Sequence, residues 1–123
     1  QNHENPILKK TFDFSIQLLE FTNLLSPNSY SSIRNQLLKS GTSIGVNMYE
    51  SQSAESRSDF IHKLKIASKE CHETKYWLKL CQESNSLPSP EALLPQLEEI
   101  NRLLNSIILQ QKEIRKELDS SID

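Results

Sequence analysis

A chain of 123 residues and 14.2 kDa suits one domain that buries roughly two-thirds of its unfolded surface. Glycine occurs only 2 times and aromatic residues make up 7%, while Leu, Ile, Lys, Glu, Gln and Ser are plentiful, a composition that points to an all-helical protein and away from sheets. A formal charge of −2 is a poor overall signature for a nucleic-acid-binding domain, where a basic balance is expected. No run approaches the 18 or so apolar residues of a membrane span, and the opening residues "QNHENPILKK" lack the apolar stretch of a signal peptide; the expectation is a soluble, cytoplasmic protein.

In chain order, Asn5-Pro6 supplies a cap residue and a first-turn proline, and Leu8, Thr11, Ser15, Leu18, Thr22 and Leu25 follow at helical spacing. The first helix is therefore expected over about 6–25. Residues 26–29, "SPNS", form the turn. A second helix is expected over 30–52, with Ile33, Leu37, Gly41, Ile44 and Met48 on its core side. Gly41 and Gly45, the two glycines of the chain, fall inside it. Each costs about 1 kcal/mol relative to alanine in a helix, so the expected return is close packing: small residues one turn apart on one face let a neighbouring backbone approach. A phosphate-binding turn needs a preceding strand and a loop opening a helix, and neither is present.

Ser56, followed three residues later by Asp59, resembles a capping box and opens a third helix over 57–85. Its core stripe reads Phe60, Leu64, Ala67, Cys71, Thr74, Leu78 and Cys81. The two cysteines stand about 15 Å apart along the axis, too far for a disulfide, and are read as reduced core residues. No metal-ligand spacing includes them or His62 and His72, so no metal and no cofactor are expected. "SNSLPSP" breaks the pattern, and Leu93, Leu97, Ile100, Leu104, Ile107, Gln111, Ile114 and Leu118 mark a fourth helix over 91–118. Pro95 shortens or kinks its first turn. Four amphipathic helices with short links give a single-domain, antiparallel up-and-down four-helix bundle spanning 1–123.

"QLLKSGTSIGVNMYE" followed by "SRSDFIHKLKIASKECHETKYWLKL" resembles the bacterial four-helix-bundle family named after proteins encoded in 23S ribosomal RNA intervening sequences. The positions that carry the resemblance are Gln36, Leu37, Ser40, Ser43, Ile44, Asn47, Glu50, Phe60, Leu64, Ile66, Ala67, Glu70, Glu73, Thr74, Trp77 and Leu78. The chain departs at Lys39, Tyr49 and Ser51, where the family tends to Arg, Ala and Gly. The resemblance implies a homo-oligomeric ring, expected to be a pentamer, with no established enzymatic activity. It further implies kinship with the accessory variability determinant of diversity-generating retroelements, a basic bundle that binds RNA and a reverse transcriptase; RNA, or a protein of that kind, is the partner it suggests.

Beside the core stripe of the third helix, Arg57, Ile61, Lys65, Ser68, His72, Lys75 and Lys79 form a lane with four basic residues and no acid. Arg57, Lys65, His72, Lys75 and Lys79 are the expected nucleic-acid-binding residues, because such a lane can follow a phosphate backbone; the bland alternative is a solvated helix face. Residues 31–80 carry +3 and the remainder −5, which partly offsets the acidic total. On the opposite flank Ile66, Trp77 and Leu80 lie off the core stripe and are expected to meet another subunit. An enzyme reading rests on Arg57 and His62, whose spacing resembles the Arg-x4-His signature of HEPN-type ribonucleases, with His62 as general base and Arg57 stabilising phosphate charge. Five residues turn a helix by about 140°, so that pair converges only at a helix start or with a partner chain. The reading adopted is a non-catalytic, self-assembling binding or scaffolding module, with RNA or an RNA–protein complex as partner.

Overall fold

The computed structural model describes residues 5–25 and 27–122 and consists of four α-helices: α1 (Pro6–Thr22), α2 (Pro27–Ser51), α3 (Arg57–Glu83) and α4 (Leu93–Ile122). Each helix packs on its chain neighbours, and α4 returns to pack on α1, so the four close an up-and-down square in which α2–α3 is the most extensive contact. Among the described residues no strand occurs.

The caps explain the helix starts. Asn5 Oδ1 accepts from the Ile7 amide at 3.2 Å, with Pro6 at the first helical position. Ser56 Oγ accepts from the Asp59 amide at 3.0 Å, and Asp59 Oδ2 reaches back to the Glu55 amide at 3.2 Å. The reciprocal bond of the box thus lands one residue earlier than the usual pattern. α4 opens on the Pro90 carbonyl, which accepts from the Leu93 and Leu94 amides. Pro95 sits in its first turn, where its missing N–H has no helical partner to lose.

Boundaries depart from expectation in every helix, and α2 ends one residue early at Ser51. α1 stops at Thr22, and residues 23–25 form a turn that still buries Leu25. α2 begins at Pro27, inside the expected turn, and Tyr30 (φ −129°, ψ 24°) kinks it; Ser26, the first residue of that turn, lies outside the described residues. α3 ends at Glu83, two residues early, and α4 spans Leu93–Ile122, starting later and running further than 91–118.

The core is the expected stripe with local corrections. Thr11, Leu18, Leu37, Gly41, Ile44, Met48, Leu64, Ala67, Cys71, Thr74, Leu78, Cys81, Leu93, Leu97, Ile100 and Leu104 are buried, and Ile7, Phe14 and Phe21 join them from α1. On α3, Ile61 is buried and Phe60 only half so. Ile61 lies on the flank that α4 covers, whereas Phe60 sits in the first turn, at the end of the bundle. Ile61 is thus a buried, inward-facing member of the lane in which the sequence placed it.

Neither glycine has positive φ, so their role is space. A Cβ on Gly41 would stand 2.1 Å from Leu18 Cδ2 of α1 and 3.6 Å from Thr74 Cγ2 of α3. On Gly45 it would stand 3.4 Å from Ser15 Oγ and from the Thr11 carbonyl oxygen. Gly41 is thus the tighter site, at the meeting of α1, α2 and α3. There the Thr74 hydroxyl pairs with the Ser40 hydroxyl at 2.9 Å and with the Glu70 carbonyl oxygen at 2.7 Å, a buried polar link that costs little because it is satisfied.

Candidate nucleic-acid interface

The basic lane of α3 does not stand alone in solvent; its inner members face α4. Arg57 Nη1 donates to Gln111 Oε1, and Ser68 Oγ lies 3.3 Å from Asn101 Oδ1 and 3.4 Å from Asn105 Oδ1. Lys75 Nζ forms an ion pair with Glu98 Oε2 at 2.7 Å. That bond, with the fields of Arg102 and Lys79, holds the Glu98 carboxyl below its ordinary range. Lys75 is therefore paired within the chain at the surface. Lys65, His72 and Lys79, one step further round the helix, remain exposed.

α4 adds cations that the α3 pattern gave no sign of. Lys112 of α4 crowds Lys65 with like charge, and this crowding, reinforced by Arg115, lowers the Lys65 pKa from its usual 10.5. Two ammonium groups this close repel unless an anion sits between them. The seam as a whole brings together Arg57, Lys65, Lys75 and Lys79 of α3 with Arg102, Lys112 and Arg115 of α4, and Glu98 is the carboxylate set among them. From position 57 to 79 it runs about 33 Å at 1.5 Å per residue. The end near Glu98 is partly neutralised; the end near Lys112 is not.

The flank assigned to subunit contact has a mixed outcome. Trp77 is half-buried and packs against the chain's own core, its Nε1 donates to Glu73 Oε2 at 3.2 Å, and its ring meets Tyr76 edge-on at 5.2 Å. Ile66 is half-buried, while Leu80 and Tyr76 are exposed. This flank faces the α2 side, where Lys63 pairs with Glu50 at 2.9 Å. A larger apolar surface lies elsewhere: a groove of about 690 Å³ between α1 and α2, walled by Leu8, Phe12, Val46 and Tyr49 and floored by Gly45. Phe12 is 65% and Tyr49 78% exposed.

The remaining candidates are placed without being brought together. Arg57 turns toward Gln111, whereas His62, exposed on α3, lies about 140° round the helix from it. Cys71 and Cys81 are both free and buried, and burial pushes the Cys71 thiol up to about 12. Among the described residues no group of three or more His, Cys, Asp or Glu side chains converges as a metal site, and no helix is long and apolar enough to cross a membrane.

Fold and seam together define an all-helical bundle with a cationic seam on one side and an apolar groove on another. The chain belongs to the 23S rRNA-intervening sequence protein family, whose model matches residues 3–106. It is similar to a crystal structure of a protein of unknown function from the S23 ribosomal protein family of Bacteroides thetaiotaomicron VPI-5482. The two share 39% identity and a TM-score of 0.76 over 83% of this chain and 97% of that one. No curated protein matches the chain.

Proposed function

We propose that this protein is a non-catalytic, self-assembling binding module of the cytoplasm whose α3–α4 seam takes the phosphate backbone of RNA. One observation supports the reading: the pairing of α3 with α4 sets Lys112 and Arg115 of α4 near Lys65 of α3, so that a phosphate oxygen received there can take charge-assisted hydrogen bonds from both helices. Arg57 and Arg115 flank the pair, and Lys79, His72 and Arg102 continue the track. Segregation of charge reconciles the reading with an acidic total, because phosphate binding responds to the local field. The family's description ties its members to ribosomal RNA genes, and the resemblance favours a ring of five subunits that sets several seams side by side.

Fluorescence anisotropy with a structured RNA tests the seam. Affinity is expected to fall steeply with salt, and Lys65→Gln with Lys112→Gln is expected to weaken binding across sequences and to flatten the salt slope by about 0.7 per lost single-strand phosphate contact. Absence of RNA binding at low salt leaves a protein scaffold. RNA cleavage by the purified protein, abolished by His62→Ala, replaces the module with a ribonuclease.

A further inference from the structure

Charge along the α3–α4 seam falls into two groups with a neutral stretch between them. Toward the start of α3, Arg57 and Lys65 stand with Lys112 and Arg115 of α4. Toward its end, Lys75 and Lys79 stand with Arg102 and the carboxylate of Glu98. From Lys65 to Lys79 the helix advances about 21 Å at 1.5 Å per residue. In that interval the two helices meet through neutral groups: the Ser68 hydroxyl lies 3.3 Å from Asn101 Oδ1 and 3.4 Å from Asn105 Oδ1. A hydroxyl has a single proton to give, so one of the two amide oxygens is left to accept, and each asparagine also carries an NH2 group that donates. Asn105 is exposed, and Ser68 and Asn101 are half-buried.

A single strand laid along the seam would set its middle phosphates on this neutral stretch. It would also find no ring to stack on. Single-stranded sites hold bases on aromatic side chains, whereas the exposed rings among the described residues are Phe12 and Tyr49, at the α1–α2 groove, and Tyr76, which turns to Trp77. A-form duplex RNA presents the matching order across its wide, shallow minor groove: phosphates of one strand, a band of 2′-hydroxyls, and phosphates of the other strand. A 2′-hydroxyl both donates and accepts, as the Ser68–Asn101–Asn105 cluster does. We propose that the seam recognises A-form duplex RNA across its minor groove, its two cationic groups taking phosphates of the two strands and Ser68, Asn101 and Asn105 taking the 2′-hydroxyls between them. It rests on the RNA reading of the seam and adds the form of RNA that is bound and the residues that separate RNA from DNA. B-form DNA of the same sequence keeps the phosphates but has a narrower minor groove and no 2′-hydroxyls.

Anisotropy with the full chain at one fixed salt concentration tests the assignment, using a blunt RNA duplex of mixed sequence, the DNA duplex of the same sequence and each RNA strand alone. The RNA duplex is expected to bind about tenfold more tightly than the DNA duplex or either strand, a margin that one or two hydrogen bonds supply. Asn101→Ala with Asn105→Ala is expected to bring the RNA duplex down to the affinity of the DNA duplex, with DNA binding, the salt slope and helicity by circular dichroism unchanged. Asn105→Ala alone, at the exposed position, is expected to remove part of the preference. Lys65→Gln with Lys112→Gln is expected to weaken both duplexes alike. Equal affinity for the two duplexes, tighter binding of a single strand, or an RNA preference that survives loss of both asparagines overturns this inference; the phosphate reading of the seam then stands if the lysine changes still weaken binding. Failure of all these nucleic acids to bind at low salt overturns both.

Discussion

The α1–α2 groove and the α3–α4 seam are made by antiparallel helix pairs of the same bundle, yet they present opposite chemistry. Between α1 and α2 the floor is a glycine and the walls are large apolar side chains left 52–78% exposed at Phe12, Val46 and Tyr49. Between α3 and α4 the floor is Ser68 with two asparagines, and the rims are cationic. One face exposes apolar side chains and the other cationic ones. The net charge of −2 averages over both and describes neither.

Both faces rest on one core, and disturbing it has the largest expected effect. Leu104→Ala, at a fully buried α4 position, should cost about 2–5 kcal/mol by urea unfolding and should weaken the two faces together. Gly41→Ala comes next, at about 1–3 kcal/mol, because its methyl group meets Leu18 at 2.1 Å in a packed interior. Gly45→Ala, with contacts no closer than 3.4 Å, should stay within about 1 kcal/mol of wild type, and helix propensity favours a gain. A loss at Gly45 equal to that at Gly41 would mean that the groove floor is as tightly packed as the core.

The next contrast concerns pH. The Lys65 pKa is lowered in the folded state, so the folded protein holds that proton less tightly than the unfolded chain does. Stability from this group is therefore withheld at neutral pH and gained as pH rises from the lowered value toward 10.5. Lys65→Gln should remove that alkaline gain in the difference between the two unfolding curves. The smallest expected effect is Leu118→Ala in the isolated chain, within about 0.5 kcal/mol, in contrast to Leu104→Ala on the same helix stripe.

That last contrast marks where the sequence was legible. The stripe Leu93, Leu97, Ile100, Leu104 is buried as its spacing implies, and the same spacing continues through Ile114, half-buried, to Leu118, which is exposed. Periodicity reports that a face seeks a partner, not whether the partner belongs to the same chain. The close packing at Gly41 was legible because two glycines in a helix need a steric reason; which of them is tighter depends on Leu18, a long-range contact. On α3 Lys65 is exposed in the lane where the sequence placed it, but Lys112 and Arg115, some fifty residues away in sequence, meet it only through the pairing of α3 with α4. Lys75 lay in the same lane and is neutralised by Glu98 through the same pairing. Phe12, Val46 and Tyr49 fell between core positions, where a single exposed apolar residue signals nothing; their convergence is a property of two helices at once.

The Lys65–Lys112 pair is the centre of the account and can be followed directly by NMR titration of the lysine ε-methylene resonances, with and without bound RNA. In the free protein Lys65 should titrate below the ordinary lysine value, and RNA should raise its midpoint, because a phosphate favours the protonated form. A midpoint that stays unchanged when RNA is bound would contradict the assignment of this seam to the phosphate backbone.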